Sequence, residues 1–588
     1  MDPNKLINLA ELTSDEAYTL IYSTDLPDDI PSGSESEDGD TDVEENENID
    51  EIGAVPESED SEDDIPLSAF VRTNSLPQQK GGNVSWEIGN ISLIRPPCDF
   101  QSQCGLADEV EELDSINCTP YKLFHLLVTD EILNNITFQT NLYAEQEHQL
   151  TNKRYSQTTL AEIKSFIGLN LLMGIKRLPS YRDYWSVSED LHDSYVSQFM
   201  VVNRFSWLLN HIHLNDNSSM PSKNNANYDR LYKIRPFISE LKKNFKKYYK
   251  PHRCISIDES MIKFKGRSAL KQYMPKKPIK RGYKVWALAD SEGYLCDFDI
   301  YTGKTKDYVE YGLGEKVVLR LMEGLEQKHH CLYFDNYFTS YNLLKELKEK
   351  CIYACGTVVA NRKNLPKLKE DKYLKQGEYD YNISNDGISI VKWKDKRAVH
   401  ILSNFHDPQA INEVKRREKD GSSKQVPCPN ALIEYNKNMN CVDRFDQLKS
   451  TYQIDRKSKK WWMRIFWHFL DCSVVNSYIL YKLKKLPPIT LKEFRRRVID
   501  GLLAEKLVDL KRKEETCGEA IQKKSRKVPP EVRFTSSSHQ PLRSTRRRCA
   551  LCSTKANPVR SDWACSVCEV ALCLGKNKTC FQKYHNNN

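Results

Sequence analysis

The run CISIDES (254–260) and its later counterpart CLYFD (331–335) decide how this chain is read. Each is a short block of β-branched, aromatic or thiol side chains that reaches an aspartate, at Asp258 and Asp335, and such blocks form buried strands. YKVWALAD (283–290), DFDIY (297–301) and CIYACGTVV (351–359) repeat the pattern. Helical segments lie between some of them, such as YNLLKELKEK (341–350), for which Thr339 or Ser340 supplies a cap. Strands alternating with helices predict an α/β sheet.

On the N-terminal side, YKLFHLLVTDEILNNI (121–136), TTLAEIKSFIGLNLLMGI (158–175), RFSWLLNHIHL (204–214) and LYKIRPFISELKKNFKKYY (231–249) carry apolar residues at helical spacing. Thr158 or Thr159 caps the second of these, with Glu162 close behind. On the C-terminal side, residues 362–428 hold short strand-like pieces among charged turns and read as an insertion. WWMRIFWHFLDCSVVNSYILYKLKK (461–485) predicts a long helix, in which Arg464, His468 and Asp471 argue against a bilayer span. Its aromatic residues, Trp461, Trp462, Phe466, Trp467 and Phe469, fall at helical spacing and are assigned to packing or to a dimer interface. His329, His330 and His406 show no ligand spacing and read as surface or turn residues.

With 588 residues, 39% hydrophobic and 29% charged, the chain is long enough for several domains and one sizeable core. No run of apolar residues reaches membrane-spanning length, and the N-terminus lacks the basic and apolar regions of a secretory signal. Eighteen cysteines in that setting point to reduced thiols and metal ligands rather than disulfides. The net charge of +6 conceals an asymmetry: residues 1–70 carry 23 acidic side chains and one lysine, which leaves +28 on the remainder. A basic body with an acidic tail suggests a polyanionic partner, and a tail that only aids solubility accounts for the charge equally well. The Ser/Glu/Asp-rich region buries too little apolar surface to repay ordering, so 1–116 is expected to be disordered.

An aspartate at a strand's exit sits at the carboxyl edge of the sheet, where open α/β sheets place their chemistry. If the strands at 254–258 and 331–335 are neighbours, Asp258 and Asp335 stand side by side. Asp443 and Asp446, three apart in MNCVDRFDQL (439–448), can share one face of a helix. Carboxylates so close need cations, and Mg²⁺ suits them because it prefers oxygen ligands and substrate phosphates. Two such ions can activate a nucleophile and stabilise a leaving oxygen in phosphodiester chemistry. Taken singly, each aspartate reads as a turn former or helix cap.

IDESMIKFKGR (257–267), KQYMPKKPIKRGYKVWALAD (271–290), FDNYFTS (334–340), CGTVVANRKNLP (355–366) and MNCVDRFDQL follow the order and spacing of the piggyBac transposases, which the chain resembles from about 117 to its C-terminus, closest to the domesticated-type members. The resemblance implies an RNase H-like core over 254–451, with the 362–428 insertion. It also implies a helical dimerisation and DNA-binding block made of 117–253 and 452–528. Asp258, Asp335 and Asp443 would form the catalytic, Mg²⁺-binding triad, with Asp446 beside them. The implied chemistry is metal-dependent nicking at the transposon end. The freed 3′ hydroxyl then forms a hairpin and later attacks double-stranded target DNA at TTAA. The alternative is a catalytically retired protein that keeps the fold to bind DNA. Some active relatives have a basic residue near Val359, and Arg362 or Lys363 are its substitutes here.

Lys263, Lys265 and Arg267 alternate after Asp258, and Lys271, Lys276, Lys277, Lys280 and Arg281 extend the positive density. They read as a phosphate-contacting rim, or as a solvated edge strand guarded by lysine. At the C-terminus, in 529–588, two CxxC knuckles (Cys549 and Cys552, Cys565 and Cys568) precede Cys573, Cys580 and His585. Paired knuckles at this spacing are strong evidence for tetrahedral zinc, and so small a unit needs metal to fold. Two Zn²⁺ ions need eight ligands. The resemblance offers His539 as the eighth, because relatives often carry a histidine there. A cross-braced arrangement groups Cys549, Cys552 and Cys573 with His539, and Cys565, Cys568 and Cys580 with His585. Sequential pairing fits the spacing too. A RING-like or protein-binding finger competes with DNA binding, which the preceding RSTRRR (543–548) favours. KRK (511–513) and KKSRK (523–527) resemble a bipartite nuclear localisation signal, so a nuclear protein, acting as a homodimer, is expected.

Overall fold

The computed structural model describes residues 84–519 and 539–586, apart from 115–117, 276, 304–311, 418–420, 555–556 and 576–577; for 509–519 it describes the backbone only. Most of the acidic segment expected to be disordered, Lys276 and the basic run 523–527 therefore lie outside the described residues, as do the side chains of 511–513.

Strands β1 (Trp86–Glu87) and β2 (Gly105–Leu106) and a short helix, α1 (Asp108–Glu111), lead into the helical region. Helices α2 (Pro120–Leu127), α3 (Asp130–Thr151) and α4 (Leu160–Ile175) each begin at a threonine whose hydroxyl accepts a first-turn N–H: Thr119, Thr129 and Thr159. At α4 both expected threonines take part, because Thr158 Oγ1 also donates to Glu162 at 2.8 Å. Next come α5 (Ser194–Phe199), α6 (Val202–His211), α7 (Arg235–Tyr248) and β3 (Tyr249–Lys250).

The sheet is built from β4 (Cys254–Lys263), β5 (Gln272–Tyr273), β6 (Arg281–Asp290) and β7 (Leu295–Ile300), then α8 (Leu313–Leu321), β8 (Cys331–Phe334), α9 (Tyr341–Glu349) and β9 (Tyr353–Thr357). Ser340 is the residue that caps α9, accepting from Leu343 N–H at 3.1 Å. β6 runs antiparallel to β4, and β7 antiparallel to β6. β8 lies parallel to β4, and β9 parallel to β8. The resulting neighbour order β7-β6-β4-β8-β9 is the RNase H-like arrangement. One detail departs from the sequence reading: β4 does not stop at Asp258. Its pairing with β6 continues to Lys263, opposite Gly282, whereas its parallel pairing with β8 stops at Ile257–Phe334. Asp258 marks the end of the parallel ladder, not of the strand.

Most of the segment read as an insertion adds to this same sheet. β10 (Tyr379–Ser384), β11 (Ser389–Lys394) and β12 (Ala398–Ser403) form a meander, and β12 joins β9 at Ile401–Thr357. The sheet reaches ten strands, while β13 (Ile411–Arg417) and β14 (Ser423–Pro429) make a separate hairpin. Helices α10 (Asn430–Asn438), α11 (Cys441–Thr451), α12 (Trp461–Leu483) and α13 (Leu491–Glu519) follow.

α12 is buried on nearly every side, and Phe466, Trp467 and Phe469 are fully enclosed in one apolar cluster shared with α2, α4, α7 and the sheet. A helix apolar all round belongs in a core. Several of its polar side chains are paired there. Asn476 exchanges two hydrogen bonds with the Leu295 backbone at 2.9 and 3.0 Å, and Asp471 accepts from Arg495 at 2.9 Å and from Ile454 N–H at 2.7 Å. α10 covers a second cluster that includes Tyr333, Cys355, Trp393 and Leu432. His330 and His406 are buried, contrary to the surface reading, because both sit at strand ends folded under neighbouring segments. His406 is held between Ser403 Oγ at 2.8 Å and Glu434 at 3.1 Å. Among the described residues, no helix is long and apolar enough to cross a membrane. β15 (Pro541–Arg548), β16 (Arg560–Cys565) and α14 (Cys580–His585) form the small cysteine-rich unit.

Candidate active site and metal clusters

Because Ile257 pairs with Phe334, the next residue on each strand is a carboxylate, and Asp258 stands beside Asp335. Their oxygens lie within 4.8 Å of one another and of a third carboxylate, Glu259. The turn after β8 holds Asp335 in place. Its Oδ1 accepts from Tyr337 N–H at 3.0 Å, and its carbonyl accepts from Thr339 Oγ1 at 2.8 Å. Arg362 reaches in from beyond β9 and donates to the carbonyls of Asn336 and, at 3.4 Å, Tyr337.

Two lysines from the β6 region answer the negative charge. Lys277 Nζ lies 3.5 Å from Asp258 Oδ2 and 3.8 Å from Glu259 Oε2, and Lys284 Nζ lies 3.1 Å from Glu259 Oε1. Burial raises the pKa of Asp258, against the pull of Lys277 and with the charge of Glu259 adding to it. Burial and then Glu259 push Asp335 up to about 6. Glu259 itself is lowered: burial opposes this, but Lys284, a hydrogen bond with Asp258, and Lys277 prevail. Burial works against the ammonium of Lys277, yet Asp258, Glu259 and Asp443 together raise its pKa. Three crowded carboxylates, of which Asp258 and Asp335 resist losing their protons, form a set that a hard divalent cation satisfies.

α11 packs over β4 and carries the other two predicted acids. Asp443 is exposed on the helix's first turn, on the Lys277 side, and lies outside the three-carboxylate group. Asp446, one turn on, accepts from Ser260 Oγ at 2.8 Å and from Lys449 Nζ at 2.6 Å. Lys449 is buried, so Asp446 acts as the counter-ion of an enclosed ammonium.

In the cysteine-rich unit the ligand atoms fall into two groups: Cys549, Cys552, Cys573 and Cys580, and His539, Cys565, Cys568 and His585. The expected cross-brace is corrected, with Cys580 and His539 exchanging places. The β15–β16 hairpin is the cause. Its register pairs Pro541 with Cys565 at one end and Arg548 with Arg560 at the other. His539 therefore meets the second knuckle, with Nδ1 3.2 Å from Cys565 Sγ, while Cys549 lies at the far end of the hairpin. His585, at the end of α14, closes on Cys568 at 3.4 Å. Four thiolates in one group and two thiols with two imidazoles in the other are donor sets that suit tetrahedral zinc.

A family model described as transposase IS4 matches residues 119–478, the span holding all the predicted carboxylates. PiggyBac transposable element-derived protein 3 of Homo sapiens is 28% identical over 551 residues, covering 90% of this chain and 86% of that protein. PiggyBac transposable element-derived protein 2 of Homo sapiens is 29% identical over 505 residues, covering 84% and 80%. This chain belongs to the piggyBac family of transposases. Its fold is similar to that of a piggyBac transposase solved by cryo-EM as a synaptic complex with hairpin DNA, with a TM-score of 0.61, 22% identity, and 80% of this chain and 98% of that chain covered.

Within this piggyBac fold the predicted rim residues differ in availability. Lys265 and Arg267 are exposed beyond the end of β4, and Lys363 is exposed as well. Lys263 is tied to Asp455 at 3.0 Å. Arg362 is turned inward onto the Asp335 turn. Lys277, read from sequence as part of the rim, lies among the carboxylates. Sequence reasoning passed over Glu259 and Lys284. The adjacent Asp-Glu pair was visible, but a strand's alternation suggests opposite faces for neighbours, which hid their convergence.

Proposed function

We propose that this piggyBac-family protein is an active transposase that cuts double-stranded DNA at transposon ends and joins them to TTAA targets. The observation that carries the reading is the placement of Asp335 beside Asp258 by the parallel β4–β8 register, with Asp443 presented from α11 nearby. Asp258, Asp335 and Asp443 are the residues that hold two Mg²⁺ ions, and Asp446 braces α11 through Lys449 and Ser260. The cations supply activation of the attacking oxygen and neutralisation of the scissile phosphate. The chain's own part is positioning: the Tyr337 N–H and the Arg362-clamped turn fix Asp335, and α11 sets the distance of Asp443 from the sheet. Lys265, Arg267 and Lys363 contact phosphate, with Lys263 and Arg362 adding positive charge behind them.

The helices before and after the core (117–253 and 452–528) are the proposed dimerisation and DNA-binding block. The cysteine-rich unit, loaded with two Zn²⁺ ions, engages transposon-end DNA through the exposed arginines of β15. A nuclear location follows from that activity. The test is excision from a plasmid carrying the repeats that flank the gene, in Mg²⁺. Wild type is expected to release the element and Asp335→Asn is not, whereas equal product from both would remove catalysis from Asp335.

A further inference from the structure

We propose that Lys277 is a displaceable internal counter-cation, whose ammonium holds Asp258 and Glu259 together while the cluster carries no metal and leaves when a divalent cation enters. The inference rests on the reading that this cluster binds such cations.

The two lysines of the site are held very differently. Lys284 projects from the middle of β6, makes the closer contact to Glu259 at 3.1 Å, and is packed over the Tyr337 ring at 4.5 Å and the Trp286 ring at 5.7 Å. Its side chain is 13% exposed. Lys277 instead springs from the turn between β5 and β6, where its N–H bonds the Met274 carbonyl at 3.2 Å. Its contacts to the Asp258 and Glu259 carboxylates are longer, at 3.5 and 3.8 Å, its shortest bond is to the Glu259 backbone carbonyl at 3.2 Å, and its side chain is 27% exposed. A lysine on a flexible stem with loose ionic contacts and an open side can swing out, and one wedged between two rings on a strand cannot.

Charge balance gives the reason for it to move. With the four carboxylates ionised, Asp443 included, the two ammoniums leave two negative charges. The two divalent ions of the proposed site added beside both lysines would give a cluster of +2, with an ammonium 3.5 Å from a carboxylate oxygen that the ions need. Like charges at that range repel strongly, and Mg²⁺ also demands near-octahedral access to its oxygens. Expelling Lys277 lowers the loaded cluster to +1, a charge that one DNA phosphate balances. The freed ammonium stays tethered at the rim, where a DNA phosphate would next arrive.

The test uses the full, zinc-loaded chain without DNA. Acylation of lysines by an amine-reactive reagent is quantified by mass spectrometry across a Mg²⁺ titration, alongside Mg²⁺ affinity from calorimetry. Lys277 labelling is expected to rise several-fold with the same midpoint as binding, while Lys284 labelling stays constant. Lys277→Met is expected to bind Mg²⁺ about tenfold tighter, since a site occupied by its own lysine pays that fraction in apparent affinity. Unchanged or reduced Lys277 labelling on a Mg²⁺-saturated wild type would overturn the proposal, and that arm needs no variant to fold. Absence of any wild-type Mg²⁺ binding that Asp335→Asn removes would overturn the metal reading itself, a separate result.

Discussion

Asp335→Asn changes one atom in a buried turn and should make the metal-free protein more stable, not less. Asparagine keeps the oxygen that accepts the Tyr337 N–H, so the turn's hydrogen bonding survives. What disappears is a charge that the folded chain tolerates poorly. The carboxyl is raised from 3.8 to about 6, first by burial and then by Glu259. At about 1.36 kcal/mol per unit, that shift amounts to roughly 3 kcal/mol of folding free energy spent on ionising Asp335. The sign follows from the protons. Below pH 4 the carboxyl is neutral folded or unfolded, and wild type and variant are equal in this respect. Between pH 4 and 6 the unfolded chain has released a proton that the folded chain still holds. Stability contributed by this group is therefore lost as pH rises and is fully lost above about pH 6. Urea unfolding followed by the buried tryptophans should show Asp335→Asn ahead by up to about 3 kcal/mol at pH 7.5, with the gap closing at pH 4. The buffer must be free of Mg²⁺ but also of chelators, which would strip the cysteine-rich unit. Adding Mg²⁺ should then stabilise wild type alone, by about 2.7 kcal/mol at a hundredfold excess over its Kd. A variant less stable than wild type at pH 7.5 without Mg²⁺, or a gap independent of pH, would refute the reasoning.

Other consequences are equally direct. Mg²⁺ affinity of the wild type should weaken as pH falls, first as the proton on Asp258, whose pKa burial raises the further of the two, competes with the ion and then through about 6 as Asp335 does, and calorimetry at pH 8.5, 7 and 5.5 measures it. Asp446→Ala leaves the buried Lys449 ammonium without its carboxylate and should cost about 3 kcal/mol in urea unfolding, with the Asp446→Ala/Lys449→Met double variant recovering much of it. Gly282→Ala should cost at least about 2 kcal/mol, because a Cβ there would lie 1.9 Å from the Ile262 carbonyl oxygen across the β4–β6 pair. In Co²⁺-substituted protein, His539→Ala should disturb one centre and leave an all-thiolate spectrum intact, whereas mixed three-sulfur spectra at both centres would reject the pairing found here.

Much of the architecture was legible because its signals are local. Apolar runs ending near aspartates at 258 and 335, the capping candidates at 158–159 and 339–340, and an all-round apolar helix at 461–483 each carry their meaning within a few residues. The extent of β4 and the fate of residues 362–428 were not local. Whether YDYNIS, SIVKWK and AVHILS form their own module or extend the core sheet depends on one antiparallel pairing, β12 on β9 from Ile401–Thr357 to Ser403–Cys355, made across more than forty residues of chain. Sequence periodicity gives the strand but not its neighbour.

The same limit explains both departures at the sites, and it separates two kinds of inference. Spacing identifies which cysteines and acids belong to metal chemistry, because a CxxC knuckle or an aspartate at a strand's end is defined along the chain. It does not say which of them share an ion, because that is fixed by register. The Pro541–Cys565 pairing carries His539 to the second knuckle, and the Ile257–Phe334 pairing sets Asp258 against Asp335. Counter-ions are harder still. Lys276, Lys277, Lys280 and Arg281 look alike as a basic run, yet among its described residues Lys277 is the member found at 3.5 Å from Asp258, and Lys284, outside that run, holds Glu259. A lysine's charge is written in the sequence, whereas the carboxylate it neutralises is chosen by the turn that aims it. For this cluster that choice decides whether the site, before any cation arrives, is an open trap for metal or one already closed by the chain's own ammonium.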